Sequence, residues 1–111
     1  MTANEYQKDA IRTANTNLSR LEQLCNGLMG LCGEAGEAID ILKKHMYQGH
    51  PLDEKHLVKE LGDVAWYLAI SAYALSYDLD TVLQMNVDKR NERYPDKFNP
   101  ELSINRKEGD I

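Results

Sequence analysis

Two cysteines and three prolines are all that the 111 residues hold of those types, and positive charge is outnumbered by negative. Each scarcity excludes something. Cys25 and Cys32 are seven positions apart, so on one helix they stand about 10 Å apart at 1.5 Å of rise per residue, too far for a disulfide. No CxxC or Cys/His cluster suggests a thiolate metal site. The expectation is a pair of free, buried thiols in a cytoplasmic protein. Lys and Arg number 13 against 18 Asp and Glu, a net charge of −5, which argues against a nucleic-acid-binding surface. No apolar run reaches the ~18 residues of a membrane span. The polar start "MTANEYQKDA" lacks the apolar core of a secretion signal. Nowhere does an alternating pattern bounded by turns suggest a strand.

What remains is helical. The prolines at 51, 95 and 100 divide the chain, and the spacing predicts four helices. The first runs from Ala3 to about Asn17, with Thr2 and Glu5 at capping-box spacing. The second follows Ser19, with Glu22 completing another capping box, and reaches Tyr47. The third follows Asp53, a good N-cap, and reaches about Leu75. The fourth runs from near Asp78 to "RYP", where Pro95 discourages helix. Residues 99–111 read as an extended or partly disordered tail. The expectation is an all-α, four-helix bundle-like domain over residues 1–98, completed by homo-oligomerisation.

One stretch resists this reading. "GLMGLCGEAGEAID" places glycine at 27, 30, 33 and 36. Each helix-interior glycine costs about 1 kcal/mol relative to alanine, so four cost about 3–4 kcal/mol if additive. A loop looks cheaper, but Leu24, Leu28, Leu31, Ala35, Ala38 and Leu42 keep helical spacing through the glycines. Neither GxxxxGK[ST] nor GxGxxG is present, and no strand precedes the stretch, so it is no phosphate loop. It reads as a helix whose glycines permit close approach, with Gly30 the one expected to face a ligand.

The second helix carries a main apolar stripe of Leu24, Leu28, Leu31, Ala35 and Leu42. Beside it runs a stripe of Gly30, Glu34, Glu37, Ile41 and Lys44. The third helix repeats the design: Leu57, Leu61, Val64, Leu68 and Leu75, with Glu60, Asp63, Tyr67, Ile70 and Ala74 alongside. An i,i+3 acidic pair is ordinarily a solvated face. Here both pairs border apolar residues, and the third helix is apolar around most of its circumference, so its acids need a partner. Packed antiparallel, the helices can bring Glu34, Glu37, Glu60 and Asp63 together. A hard divalent cation, Mg²⁺ or Mn²⁺, resolves the repulsion of such a cluster. On the fourth helix Asn86, Lys89 and Arg93 continue an inward stripe. Acids that hold Mg²⁺ together with such donors are what a polyphosphate requires. Trp66 and Tyr73 lie behind the third helix and read as an oligomer interface, with base stacking as a lesser alternative. His45, His50 and His56 show no ligand spacing, and Met29, Met46 and Met85 read as core or interface filler.

The motifs "GEAGEAIDILKK", "ELGDVAWYLA" and "NVDKRNERYP" together resemble the MazG-like nucleotide pyrophosphohydrolases of the all-α NTP pyrophosphatase superfamily, over about residues 5–98. The resemblance implies a helical bundle that assembles as a dimer or tetramer and cleaves nucleoside triphosphates between the α and β phosphates. By matching motif, Glu34, Glu37, Glu60 and Asp63 would hold Mg²⁺. Lys44, Asn86, Lys89 and Arg93 would contact phosphate, and Glu34 or Glu37 would orient or deprotonate the attacking water. Gly33 stands where many members have the first Glu of E-E-x-x-E, a departure that bears on second-metal geometry and subfamily. A related phosphoribosyl-ATP pyrophosphohydrolase chemistry and a non-catalytic nucleotide- or metal-binding regulator are the competing readings. No membrane or nucleic-acid partner is expected.

Overall fold

The computed structural model describes residues 1–111 and contains five helices and no strand. They are α1 (Ala3–Arg12), α2 (Arg20–Tyr47), α3 (Glu54–Ala74), α4 (Leu79–Arg93) and α5 (Pro100–Ile104). None is long and apolar enough to cross a membrane. The chain divides into two units, Met1–Leu79 and Asp80–Ile111, each described by itself.

The helix starts follow their caps. Thr2 Oγ1 accepts from the Glu5 amide at 3.1 Å. Ser19 and Glu22 close both halves of a capping box, each bond 3.2 Å long. Asp53 accepts from the His56 amide at 3.0 Å. These bonds satisfy amides that the first turn leaves without partners. Helix α1 stops at Arg12, five residues short of expectation, because "TANTN" is rich in side chains that compete for backbone hydrogen bonds. Asn15 Oδ1 indeed accepts from the Asn17 amide at 3.2 Å. The α2 helix runs unbroken for 28 residues through all four glycines, about 42 Å at 1.5 Å per residue. Gly49 then takes φ +73° at its end, the left-handed position that glycine fills without strain.

In the first unit α3 is central, with α1 on one side and α2 on the other. Gly27 meets Ser71 and Gly30 meets Tyr67, so the register runs antiparallel. A Cβ on Gly27 would overlap Ser71 Oγ and lie 3.3 Å from the Ser71 Cα. A Cβ on Gly30 would overlap the Tyr67 ring. Both glycines therefore serve helix–helix approach, and Gly30 is covered by Tyr67 instead of facing a ligand. A Cβ on Gly33 or Gly36 would meet no other part of the chain within 4 Å.

The stripe that α2 turns toward α3 is thus the glycine–glutamate one. The leucine stripes are covered only in part: Leu28 is 50% and Leu61 58% exposed. The core is correspondingly thin. Ala10, Ala69, Ile70 and Leu79 are buried, with Tyr6, Trp66, Tyr67 and Leu68 packed against them. Of the two residues expected at an oligomer interface, Trp66 packs partly on this core and its Nε1 donates to Thr13 Oγ1 at 3.2 Å, while Tyr73 is exposed. Gln7, buried, joins α1 to the end of α3. Its Nε2 donates to the carbonyls of Ala69 and Tyr77, both at 3.1 Å, and its Oε1 accepts from the Leu79 amide at 3.0 Å. Cys25 and Cys32 are free as expected, but both are exposed. Met29, Met46 and Met85 are exposed too, so none fills a core.

In the second unit the tail is more regular than its sequence suggested. Asn99 caps α5 by accepting from the Glu101 amide at 2.9 Å, and Pro100 occupies a first-turn position where its missing amide is harmless.

Candidate metal centre and active site

The antiparallel packing of α2 and α3 brings three of the four expected acids together. One carboxylate oxygen from each of Glu34, Glu37 and Glu60 lies within 4.8 Å of the others. Glu60 is 7% exposed, Glu34 is half-buried and Glu37 is exposed. The close approach at Gly27 and Gly30, two turns and one turn before Glu34, is what allows carboxylates on neighbouring helices to meet. Asp63 is exposed and stands outside this group. Its charge acts instead on Tyr6, whose phenol is raised chiefly by burial and then by Asp63 and Asp9.

The cluster bears the marks of crowded negative charge. Glu34 is pushed up to about 7, mostly by hydrogen bonding with Glu60, then by desolvation and by Glu37. Glu60 is held below the ordinary carboxylate range, chiefly by the same bond with Glu34 and further by His56. One proton shared between two carboxyls is how such a pair lowers its repulsion without a cation. With both carboxyls ionised, as a bound cation requires, Glu34 Oε2 and Glu60 Oε2 are enclosed and have no donor. Enclosed acceptors without a donor are costly. Three carboxylates with two such oxygens fit a hard divalent cation of the Mg²⁺ or Mn²⁺ type.

Two residues at the site went unmarked in the sequence. His56, one turn before Glu60 on α3, places Nε2 3.0 Å from Glu60 Oε1. The i,i+4 spacing of His56 and Glu60 was the available clue. Asp40, one turn after Glu37, pairs with Lys44 at 2.9 Å and Lys43 at 3.1 Å, and these lysines hold its carboxyl down, Lys44 most. His56, Asp40 and Lys44 line, with Gly33, Gly36, Glu37 and Glu60, an open cleft of about 530 Å³. Lys44 therefore stands beside the carboxylates, as its stripe suggested.

The remaining expected contacts lie in the second unit. Asn86 Oδ1 accepts from Arg90 Nε at 2.9 Å. Lys89 is exposed. Arg93 makes a two-bond pair with Asp110, 2.7 and 2.8 Å, which raises the guanidinium pKa and holds Asp110 below its ordinary range. Lys89, Arg93, Arg106, Lys107 and Asp110 share the walls of a cavity of about 340 Å³.

The model of the MazG nucleotide pyrophosphohydrolase domain matches residues 23–98 of this chain, from the first turn of α2 to beyond α4. The Gene 37 protein of Mycobacterium phage L5 is 39% identical over 77 residues, 66% of this chain and 68% of that protein. No solved structure matches.

Proposed function

The chain belongs to the MazG nucleotide pyrophosphohydrolase domain family, and from that premise we propose that it hydrolyses nucleoside or deoxynucleoside triphosphates to the monophosphate and pyrophosphate in a Mg²⁺-dependent reaction. The reading is of a nucleotide-pool house-cleaning enzyme. The observation that carries it is the meeting of Glu34, Glu37 and Glu60, with two enclosed oxygens that have no donor.

In this reading Glu34, Glu37 and Glu60 hold the divalent cation, and Asp63, one turn beyond Glu60, completes the set from α3. The ion supplies neutralisation of phosphate charge and acidification of water. Glu37, the exposed member of the three, orients the attacking water toward the α-phosphorus and accepts its proton, because Glu34 and Glu60 are the more enclosed. The bond from the α-phosphorus to the bridging oxygen breaks, and pyrophosphate leaves. Lys44, whose ammonium is at the cleft on the Asp40 carboxylate, turns to the phosphates when they arrive. Asn86, Lys89 and Arg93 are assigned as phosphate donors on their chemistry and shared face of α4.

We further assign residues 1–98 as the catalytic domain and 99–111 as an appended tail, in keeping with a family match that ends at residue 98. A homo-oligomer, dimer or tetramer, is supported by the apolar side chains that the first unit leaves exposed, Leu28, Met29, Ile39, Val58 and Leu61 among them. A cytoplasmic location suits the two free thiols.

The test is pyrophosphate release from a panel of standard, deoxy and modified triphosphates with Mg²⁺, comparing the wild type with Glu60→Gln and Asp63→Asn. Turnover is expected to fall at least about 100-fold in Glu60→Gln. Unchanged turnover in both variants overturns the metal assignment.

A further inference from the structure

The two oxygens of Glu60 have different surroundings. Oε1 lies 3.0 Å from His56 Nε2, whereas Oε2 is enclosed and has no partner. As a cation ligand Glu60 is ionised and can only accept, so the imidazole nitrogen is the donor. Among the groups against Glu60, Glu34 and Glu37 are acids and His56 is a donor. On an exposed helix surface such an i,i+4 pair would be unremarkable. Here the acceptor is almost wholly enclosed, and its terminal torsion is otherwise free to rotate.

We propose that His56 is a positioning residue of the metal centre: by holding Glu60 Oε1 it stops the carboxylate from turning and reserves Oε2 for the cation. This rests on the metal reading above and goes beyond it, because the role assigned to His56 is exerted through Glu60. Carboxylate ligands are ordinarily oriented by such outer hydrogen bonds, and removing one weakens metal affinity about 10- to 100-fold.

The experiment is calorimetric titration of the full chain with Mn²⁺ at one fixed, mildly alkaline pH. Wild type, His56→Leu and His56→Gln are compared, with melting in EDTA as the check on folding. His56 is 53% exposed in its side chain, so both variants should fold, and a lower melting temperature confined to His56→Leu is the cost of the donor that Glu60 loses. His56→Leu should bind Mn²⁺ about 10- to 100-fold more weakly. Glutamine keeps an N–H donor at similar reach and should restore most of that loss. Equal affinity in all three chains overturns the positioning role and leaves the metal reading standing. Binding by His56→Gln as weak as by His56→Leu also overturns it. A wild-type chain that takes up no Mn²⁺ overturns the metal reading, and the role of His56 with it.

Discussion

Glycine-to-alanine substitution at four positions of one helix should give opposite results, and the structure sets the sign at each. At Gly33 and Gly36 nothing lies within 4 Å of a new Cβ. Alanine there gains helix propensity of about 1 kcal/mol and meets no opposing contact. At Gly27 the same gain is offset. The new methyl overlaps Ser71 Oγ and stands 3.3 Å from the Ser71 Cα, and a backbone atom cannot rotate away. Overpacking of this kind costs about 1–3 kcal/mol, so the net effect of Gly27→Ala runs from about zero to 2 kcal/mol destabilising. Gly30→Ala should be destabilising by at least as much, since its new methyl overlaps three atoms of the Tyr67 ring and that ring is packed against the core. Each kcal/mol moves the melting temperature of a domain this size by about 4 °C. Thermal melts of the four single variants in EDTA should therefore rank Gly33→Ala and Gly36→Ala above wild type and Gly27→Ala at or below it. A Gly27→Ala protein as stable as Gly33→Ala would refute the claim that Gly27 exists for the approach of α3.

Other consequences concern groups buried between elements. Replacing Gln7 with leucine removes the side-chain donor to the Ala69 and Tyr77 carbonyls and the acceptor of the Leu79 amide. Urea denaturation should show a loss of about 2–4 kcal/mol, against a fraction of that for a merely exposed glutamine. The pH dependence of the metal-free chain follows from Glu34, whose carboxyl rises from 4.5 to about 7 on folding. The folded state then holds this proton more tightly than the unfolded one. Its contribution is complete below pH 4.5 and is lost as pH rises through about 7. Melting temperature in EDTA should fall across that window, and Glu34→Gln should flatten the fall. Parallel profiles for the two proteins would place the proton elsewhere.

Some of this architecture was written plainly in the sequence. Ser19 with Glu22, and Asp53, mark the starts of the two long helices because capping is local chemistry, decided within four residues. The continuity of α2 through its glycines was equally legible, because apolar spacing survives where propensity is poor. The tail helix had its own marker in Asn99-Pro100-Glu101, a cap followed by a proline that suits a first turn. The end of α1 was harder, since "TANTN" can extend a helix or unwind it, and only the bond between Asn15 and Asn17 decides.

What periodicity could not decide was which of two neighbouring stripes faces the partner helix. On α2 the leucine stripe is the more apolar, and burial of apolar surface favours turning it inward. Yet two helices approach closely only where their side chains are small, and Gly27 and Gly30 lie on the other stripe. The closer approach carries Glu34 with it, one turn along, into the enclosure shared with Glu60. The glycines therefore do not cradle phosphate, as their clustering first suggests; they set the distance between two helices that would otherwise hold their carboxylates apart. The leucines left half exposed follow from the same choice, because a helix cannot turn both stripes to one neighbour. That links the carboxylate cluster and the uncovered apolar face as two results of one packing geometry. A larger residue at Gly27 should accordingly disturb both stability and Mn²⁺ affinity, although it lies two turns from the nearest carboxylate.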